Sequence, residues 1–453
     1  MNLRKLISAG LLALFSGASW SQGVNFFKYI PDTTARSAST DRTLQSIRKR
    51  KHLVDTKLGK LNITAFEGDW ISMVLPDGKE IQINRTSGLF KSSKSFSWIG
   101  TVRKGGGEVI FTMTDGVLIG NIRLPLTTYT IEPLGEDLYL VSRVVRELIP
   151  PPDPDSGPVR EPKSQSSSQP SSKKTALSAA AANAPVVRIL VAYTPASSSY
   201  FNGATATGAA TQALTLLNQA FTNSAINIQA ELAGTVSVTY TETGNFINDL
   251  ANLRVHPTLT ATRDATAADI VITLFARLTT GDNLCGRAYL KPSPEYAYGI
   301  VVAQWLNAAG DCFAHEVGHI FGADHNTSDT SDAPFAYGHG YQYANPVIPP
   351  TTIGPIGCFR TIMAYDFTCP QGGLSTPNNF SNPSISIPYI NANGVLLANR
   401  PSGNGLSADN ARVLNEQGAT VAAFRGSSSD PGSPGTPQAS SALANITNYV
   451  LSD

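Results

Sequence analysis

The chain has 453 residues, 42% of them hydrophobic, which is enough for two or three domains with a sizeable core. Its 34 basic and 33 acidic residues leave a net charge of +1, which excludes the strongly basic surface that nucleic-acid binding needs. Charged residues are only 15% of the chain, a share that fits a surface rich in Asn, Ser, Thr and Gly.

The N-terminus opens with Met1-Asn-Leu-Arg-Lys and continues with the apolar run Leu6-Ile-Ser-Ala-Gly-Leu-Leu-Ala-Leu-Phe15. A short positive head before such a run reads as a secretory signal peptide over residues 1–21, with cleavage near Ser21. The run is too short to cross a bilayer, and no later stretch of eighteen apolar residues occurs. A secreted product with no membrane or nucleic-acid partner is expected.

Residues 22–148 read as a β-rich block. Strand patterns occur at Leu61–Phe66, Trp70–Leu75, Glu80–Asn84, Trp98–Val102, Glu108–Met113 and Leu118–Ile122, with turn signals at Pro76-Asp-Gly-Lys79 and Asp115-Gly116. The block shows no catalytic constellation. Residues 149–185 change character: Ile149-Pro-Pro-Pro-Asp-Pro and the Ser/Gln-rich run after it predict a disordered linker open to maturation cleavage.

A second globular block, residues 186–425, alternates strands with helices, the signature of an α/β layer structure. Strands are predicted at Val187–Tyr193, at Asn227–Leu232 and Val236–Tyr240 (a pair, or one bent strand), at Asp269–Phe275 and at Gly299–Trp305. Helices are predicted at Thr207–Asn223, at Phe246–Leu253, at a segment opened by Asp311, and from Ser407 to about Arg425. Between Asn326 and Pro401 the chain is irregular and rich in Pro, Gly and Asn. Residues 426–453 form a low-complexity tail with no assigned role.

The helix opened by Asp311 carries the chemistry. His315-Glu316-Val-Gly-His319-Ile-Phe-Gly322-Ala-Asp-His325 puts His315 and His319 on one helix face, where both can grip one metal ion. Gly322 can take positive φ, end the helix and turn the chain so that His325 arrives from another side. Three neutral imidazoles leave one tetrahedral position for water, the layout of a catalytic zinc site, and Glu316 stands where it can take that water's proton. With only six histidines in the chain, a chance match to five fixed positions is expected on the order of once in 10⁵ chains, so coincidence is set aside.

All four cysteines, Cys285, Cys312, Cys358 and Cys369, lie in this block, and an oxidising compartment would pair them. Three pairings are open to four cysteines; Cys358–Cys369 with Cys285–Cys312 is expected. His339 lies between glycines in a loop and reads as structural or surface-exposed rather than as a ligand. The sequence assigns no calcium site.

Thr361-Ile-Met363-Ala-Tyr365 resembles the Met-turn of metzincin zinc endopeptidases, and together with the histidine motif it forms a specific pair. Tyr337-Gly-His-Gly-Tyr341, Phe380-Ser-Asn-Pro383 and Asp409-Asn-Ala-Arg-Val-Leu-Asn415 are similar to secreted bacterial members of the reprolysin-like branch, and Gly357-Cys-Phe-Arg-Thr-Ile-Met-Ala-Tyr365 to peptidyl-Asp metallopeptidases. The resemblance covers residues 186–425. It implies an α/β metzincin-type catalytic domain, with a twisted, mostly parallel sheet plus helices and an irregular C-terminal subdomain, preceded by a β-rich propeptide. It implies one Zn²⁺ on His315, His319 and His325, Glu316 as general base, Met363 as structural, and Tyr365 as a catalytic group or a packing residue. Gly286-Arg-Ala-Tyr-Leu290 would be the edge strand on which a peptide substrate pairs.

The implied product is a monomeric secreted endopeptidase made as a zymogen, with its own propeptide as inhibitor. A preference for acidic residues at the cleavage site would need a cation, for which Arg360, Arg287 and Lys291 are candidates, each also readable as a surface charge. The propeptide has no cysteine for a thiolate switch. Phe66-Glu-Gly-Asp69 resembles the motif by which astacin propeptides place an aspartate on zinc, and reads equally as a turn. The competing readings are an inactive zinc-containing binding protein and a zinc hydrolase of non-peptide substrates.

Overall fold

Period-two alternation through the N-terminal block produces a single ten-stranded sheet in the computed structural model, which describes residues 24–151, 159–160, 184–276, 284–307, 311–328, 333–344, 358–369, 374–390 and 396–426. The expected signal peptide and the tail beyond Gly426 lie outside the described residues. The chain divides into two units: the first takes residues to Leu148 with the short stretches Asn202–Ala204 and Ile390–Val395, and the second takes the remainder.

The first unit contains β1 (Val24–Asn25), β2 (Phe27–Tyr29), α1 (Ala38–Arg48), β3 (Leu53–Leu61), β4 (Trp70–Val74), β5 (Glu80–Ser92), β6 (Ser95–Val102), β7 (Glu108–Thr114), β8 (Val117–Leu124), β9 (Thr127–Gly135) and β10 (Leu138–Val144). Strands β4 to β10 pair with their chain neighbours, and the sheet's two end strands, β1 and β2, are separated only by Phe26. Phe26 donates its N–H to Ser72 and accepts from Asn62, so the sheet closes on itself. Phe26, Phe66, Trp98 and Phe111 fill its interior, their rings 4.9–5.9 Å apart where they touch. Asp115 and Gly116 both have positive φ (51° and 83°), as a two-residue type I′ hairpin turn requires.

Leu61–Phe66 is not the strand its apolar spacing predicts. The strand is β3, ending at Leu61, and Ile63–Glu67 form a 3₁₀ turn that drops Ala65 and Phe66 into the core. Asp69 follows this turn, and its carboxylate accepts from Arg85 at 3.0 Å.

In the second unit the sheet order is β11-β15-β16-β14-β12-β13, built from β11 (Val159–Arg160), β12 (Val186–Tyr193), β13 (Gln229–Ser237), β14 (Ile270–Phe275), β15 (Gly286–Leu290) and β16 (Tyr298–Val302). Strands β13, β12, β14 and β16 run parallel and β15 is antiparallel to β16. The bent-strand reading holds at β13, which keeps one ladder with β12 through a register shift beside Ile189 and Leu190. Helices α2 (Ala206–Asn223), α3 (Phe246–Arg254), α4 (Pro257–Ala265), α5 (Asp311–Phe321) and α6 (Asn410–Val421) complete the unit, with all of α5 buried. The irregular stretch contributes a small sheet of β17 (Gln342–Ala344), β18 (Cys358–Arg360) and β19 (Leu374–Ser375).

The segment expected to be wholly unstructured departs from that expectation. Pro151 accepts from the Cys285 N–H at 3.1 Å and β11 pairs with β15, while 152–158 and 161–183 lie outside the described residues. No helix among the described residues is long and apolar enough to cross a membrane.

Candidate metal centre

Helix α5 ends at Gly322, whose φ of 97° permits a Schellman motif: Ala323 donates to Gly318 and Gly322 to His319. The reversal returns His325 to the face that carries His315 and His319. The three Nε2 atoms lie 2.9, 3.0 and 3.1 Å apart, all buried.

The Nδ1 atoms fix what those nitrogens can do. His315 Nδ1 faces the Ile362 carbonyl at 2.9 Å and His319 Nδ1 faces the Ala323 carbonyl at 2.8 Å. A carbonyl only accepts, so both rings carry their proton on Nδ1 and present a bare lone pair at Nε2. His325 Nδ1 lies 2.8 Å from the Tyr365 hydroxyl, a group able to accept the Nδ1 proton, so the same tautomer is open to the third ring. Lone pairs directed at one point repel unless a cation stands between them. Tetrahedral zinc with Zn–N of about 2.0–2.1 Å needs its nitrogens roughly 3.4 Å apart, a few tenths of an ångström wider than the 2.9–3.1 Å of the triad.

Electrostatics point the same way. Burial pushes His315 down to about 4. Burial and the neighbouring His315 and His325 hold His319 well below the usual histidine range, and the Arg287 charge adds to the effect. Imidazoles that stay neutral are ligands rather than cations at physiological pH.

Glu316, fully buried, stands against the start of β15: a Cβ at Gly286 would lie 2.7 Å from its Cγ and from Oε1. The Cys285–Cys312 disulfide joins the same strand to the same helix, and the Lys291 N–H donates to the His319 carbonyl at 3.0 Å. Strand β15 is therefore fastened to α5 along its length. Cys358–Cys369 is the other disulfide, so the pairing is the expected one.

Met363 lies beneath the triad, where a Cβ at Gly318 would be 2.6 Å from its Sδ. Tyr365 lies over His325, with ring centroids 4.3 Å apart and its hydroxyl 3.3 Å from His325 Nε2.

Four features escaped sequence reasoning. Arg360 is buried rather than a surface charge; it pairs with Asp366 and, at 3.2 Å, with Asp311, so it ties the Met-turn to the head of α5. Arg287 is also buried, whereas Lys291 is exposed with φ of 100°. His339 is buried and its Nδ1 lies 2.8 Å from the His325 carbonyl, which steadies the third ligand. Gly286 leaves room for Glu316. Of these, only the Gly-His-Gly string gave a local signal; the others depend on contacts across long sequence separations.

The reprolysin-like M12B metallopeptidase model matches residues 183–400, which include the whole triad and the Met-turn. A peptidyl-Asp metalloendopeptidase of Stenotrophomonas maltophilia is 33% identical over 336 residues, covering 71% of this chain and 71% of that protein. The chain belongs to this metallopeptidase family. A Xanthomonas campestris protein of the same name is 32% identical and covers 70% of each chain; one from Pseudomonas fragi is 32% identical over 46% of this chain and 99% of its own. The reprolysin-like chain is thus a zinc metalloendopeptidase, and its buried triad fits one catalytic zinc ion. That membership sets aside the non-enzymatic and non-peptide readings. It also implies protein or peptide substrates.

Proposed function

We propose that the protein is a secreted endopeptidase, made as a zymogen, in which His315, His319 and His325 hold zinc and Glu316 is the general base. The observation that carries the reading is the convergence of three Nε2 lone pairs beside a buried carboxylate. Zinc held by this triad would supply a Lewis acid able to bring a water towards neutral pKa. Glu316 would take a proton from the attacking water and pass it to the departing amine. The Tyr365 hydroxyl is close enough to the metal position to donate to the oxyanion as the carbonyl is attacked. An extended substrate pairs along β15, whose disulfide and helix contacts hold it still against the base.

Residues 1–21 supply the export signal and residues 22–148, whose described part is the closed sheet, the propeptide; residues 186–425 are the catalytic domain. Two disulfides agree with an oxidising compartment. The relatives' name favours a preference for aspartate at the cleaved bond. Arg360 is a poor cation for that purpose because two carboxylates already neutralise it. Arg287, on the substrate strand, is the better candidate. The decisive test is Glu316→Gln: it should retain one zinc per chain and lose at least 10²-fold in kcat on casein or a reference peptide. Activity within tenfold of the parent removes Glu316 from its role.

A further inference from the structure

Two residues of the triad stand on a helix, and the third does not. His315 and His319 are fixed by α5, whereas His325 lies beyond Gly322 and has to be held from outside the helix. Its carbonyl accepts from His339 Nδ1 at 2.8 Å and from the Gly340 N–H at 3.2 Å. Its neighbour Asp324 donates its N–H to the Gly338 carbonyl at 2.7 Å and accepts from Gly340 at 3.0 Å. Residues 338–340 therefore bracket the third ligand. The bracket has no slack: a Cβ at Gly338 would lie 2.8 Å from Val413 Cγ2 on α6, and one at Gly340 would collide with the Ala364 nitrogen of the Met-turn.

What seats this bracket comes from much later in the chain. Asn410, at the start of α6, donates Nδ2 to the Gly338 carbonyl at 2.8 Å and its backbone N–H to Ser381 Oγ at 2.8 Å. Ser381 Oγ donates in turn to the His339 carbonyl at 2.6 Å. The Asp409 N–H closes on the Tyr337 carbonyl at 2.7 Å. Ser381 and Asn410 are fully buried, so water cannot stand in for either side chain. The strings Tyr337–Tyr341, Phe380–Pro383 and Asp409–Asn415, far apart in sequence, thus meet behind His325. We propose that Asn410 and Ser381 are positioning residues for the metal centre, carrying the seating of α6 through residues 338–340 to the third ligand. The inference rests on the triad as the metal centre. Truncating either side chain takes a donor from a buried carbonyl and loosens 338–340 against His325. A ligand whose outer support is lost binds metal about 10- to 100-fold more weakly. The zinc site is therefore complete only once α6 has docked.

The test uses the full-length chain carrying Glu316→Gln to prevent self-processing, alone and with Asn410→Ala, Ser381→Ala or Val421→Ala. Val421 is fully buried at the far end of α6, so its truncation costs core packing without removing a bond from the bracket. In chelator competition Asn410→Ala and Ser381→Ala should bind zinc at least tenfold more weakly than the parent, and Val421→Ala within about twofold of it. Loaded with cobalt, the first two should show visible bands displaced from the parent's, because those bands follow the ligand geometry. Should Asn410→Ala fail to fold, Ser381→Ala carries the same comparison. Zinc affinity within about twofold of the parent, a cobalt spectrum identical to the parent's, or an equal loss in Val421→Ala each overturns the proposal. A parent chain that takes up no zinc overturns the metal centre itself, and the positioning role with it.

Discussion

Gly286→Ala probes the base without touching a ligand. Its new Cβ would lie 2.7 Å from Glu316 Cγ, 2.7 Å from Oε1 and 2.8 Å from the Ile300 carbonyl. Ordinary carbon contacts begin near about 3.5 Å, so the carboxylate must retreat by roughly 0.8 Å, because the β16 carbonyl behind it is held in the sheet. A displacement of that size at a reacting group costs up to about 10²-fold, against about 10²–10⁴ for losing a general base outright. We expect kcat on a reference peptide to fall by about 10- to 10²-fold, with zinc content unchanged because the triad is undisturbed. Overpacking should lower stability by about 1–3 kcal/mol, read from denaturant unfolding. Gly286→Ala enzyme with kcat within twofold of the parent, folded and zinc-loaded, would refute the claim that this glycine makes room for the base.

Three further outcomes follow from the centre. His339→Ala removes the ring that supports the His325 carbonyl and should weaken zinc about 10- to 10²-fold in chelator competition, with His339→Asn restoring part of the loss; an unchanged zinc affinity rejects the positioning role. Tyr365→Phe should lower kcat about 10²-fold while KM moves little, and equal turnover would reduce Tyr365 to packing. The metal-free fold should weaken as pH falls. His315 is pushed down to about 4 in the folded chain from an ordinary 6.5, so the unfolded chain binds the proton first; stability is lost between these values, by about 3 kcal/mol from His315 alone, and thermal melts from pH 7 to 4 would show it. Zinc loading should remove most of that slope down to about pH 4, since the proton then has to displace the metal.

The sequence made the catalytic layer readable wherever one period dominates. Strands β12 and β14 are apolar apart from Arg188 and Thr273, α2 repeats its apolar face at helical spacing, and the histidine helix announces its own stop at Gly322. It was less readable where the buried face is thin. Helix α1 buries only Thr40, Leu44 and Ile47, and β3 carries Asp55, Lys57 and Lys60, so neither shows a strong period. At Leu61–Phe66 the short apolar spacing fits a strand or a tight turn, and burial of Ala65 and Phe66 decides for the turn. The ligands were legible because three sit within one helix and its reversal. The clearance at Gly286 and the two-carboxylate clasp on Arg360 were not, because each depends on elements brought together from far along the chain.

The contrast in strand order has a kinetic consequence. From β4 to β10 the first unit forms by successive hairpins, each closing a short loop, whereas the second must bring β12 beside β14 and β16 across intervening helices before its sheet exists. Local pairing closes quickly and long crossovers slowly, so on the ribosome the leading unit should reach its native pairing while the histidine helix is still waiting for a sheet to rest on.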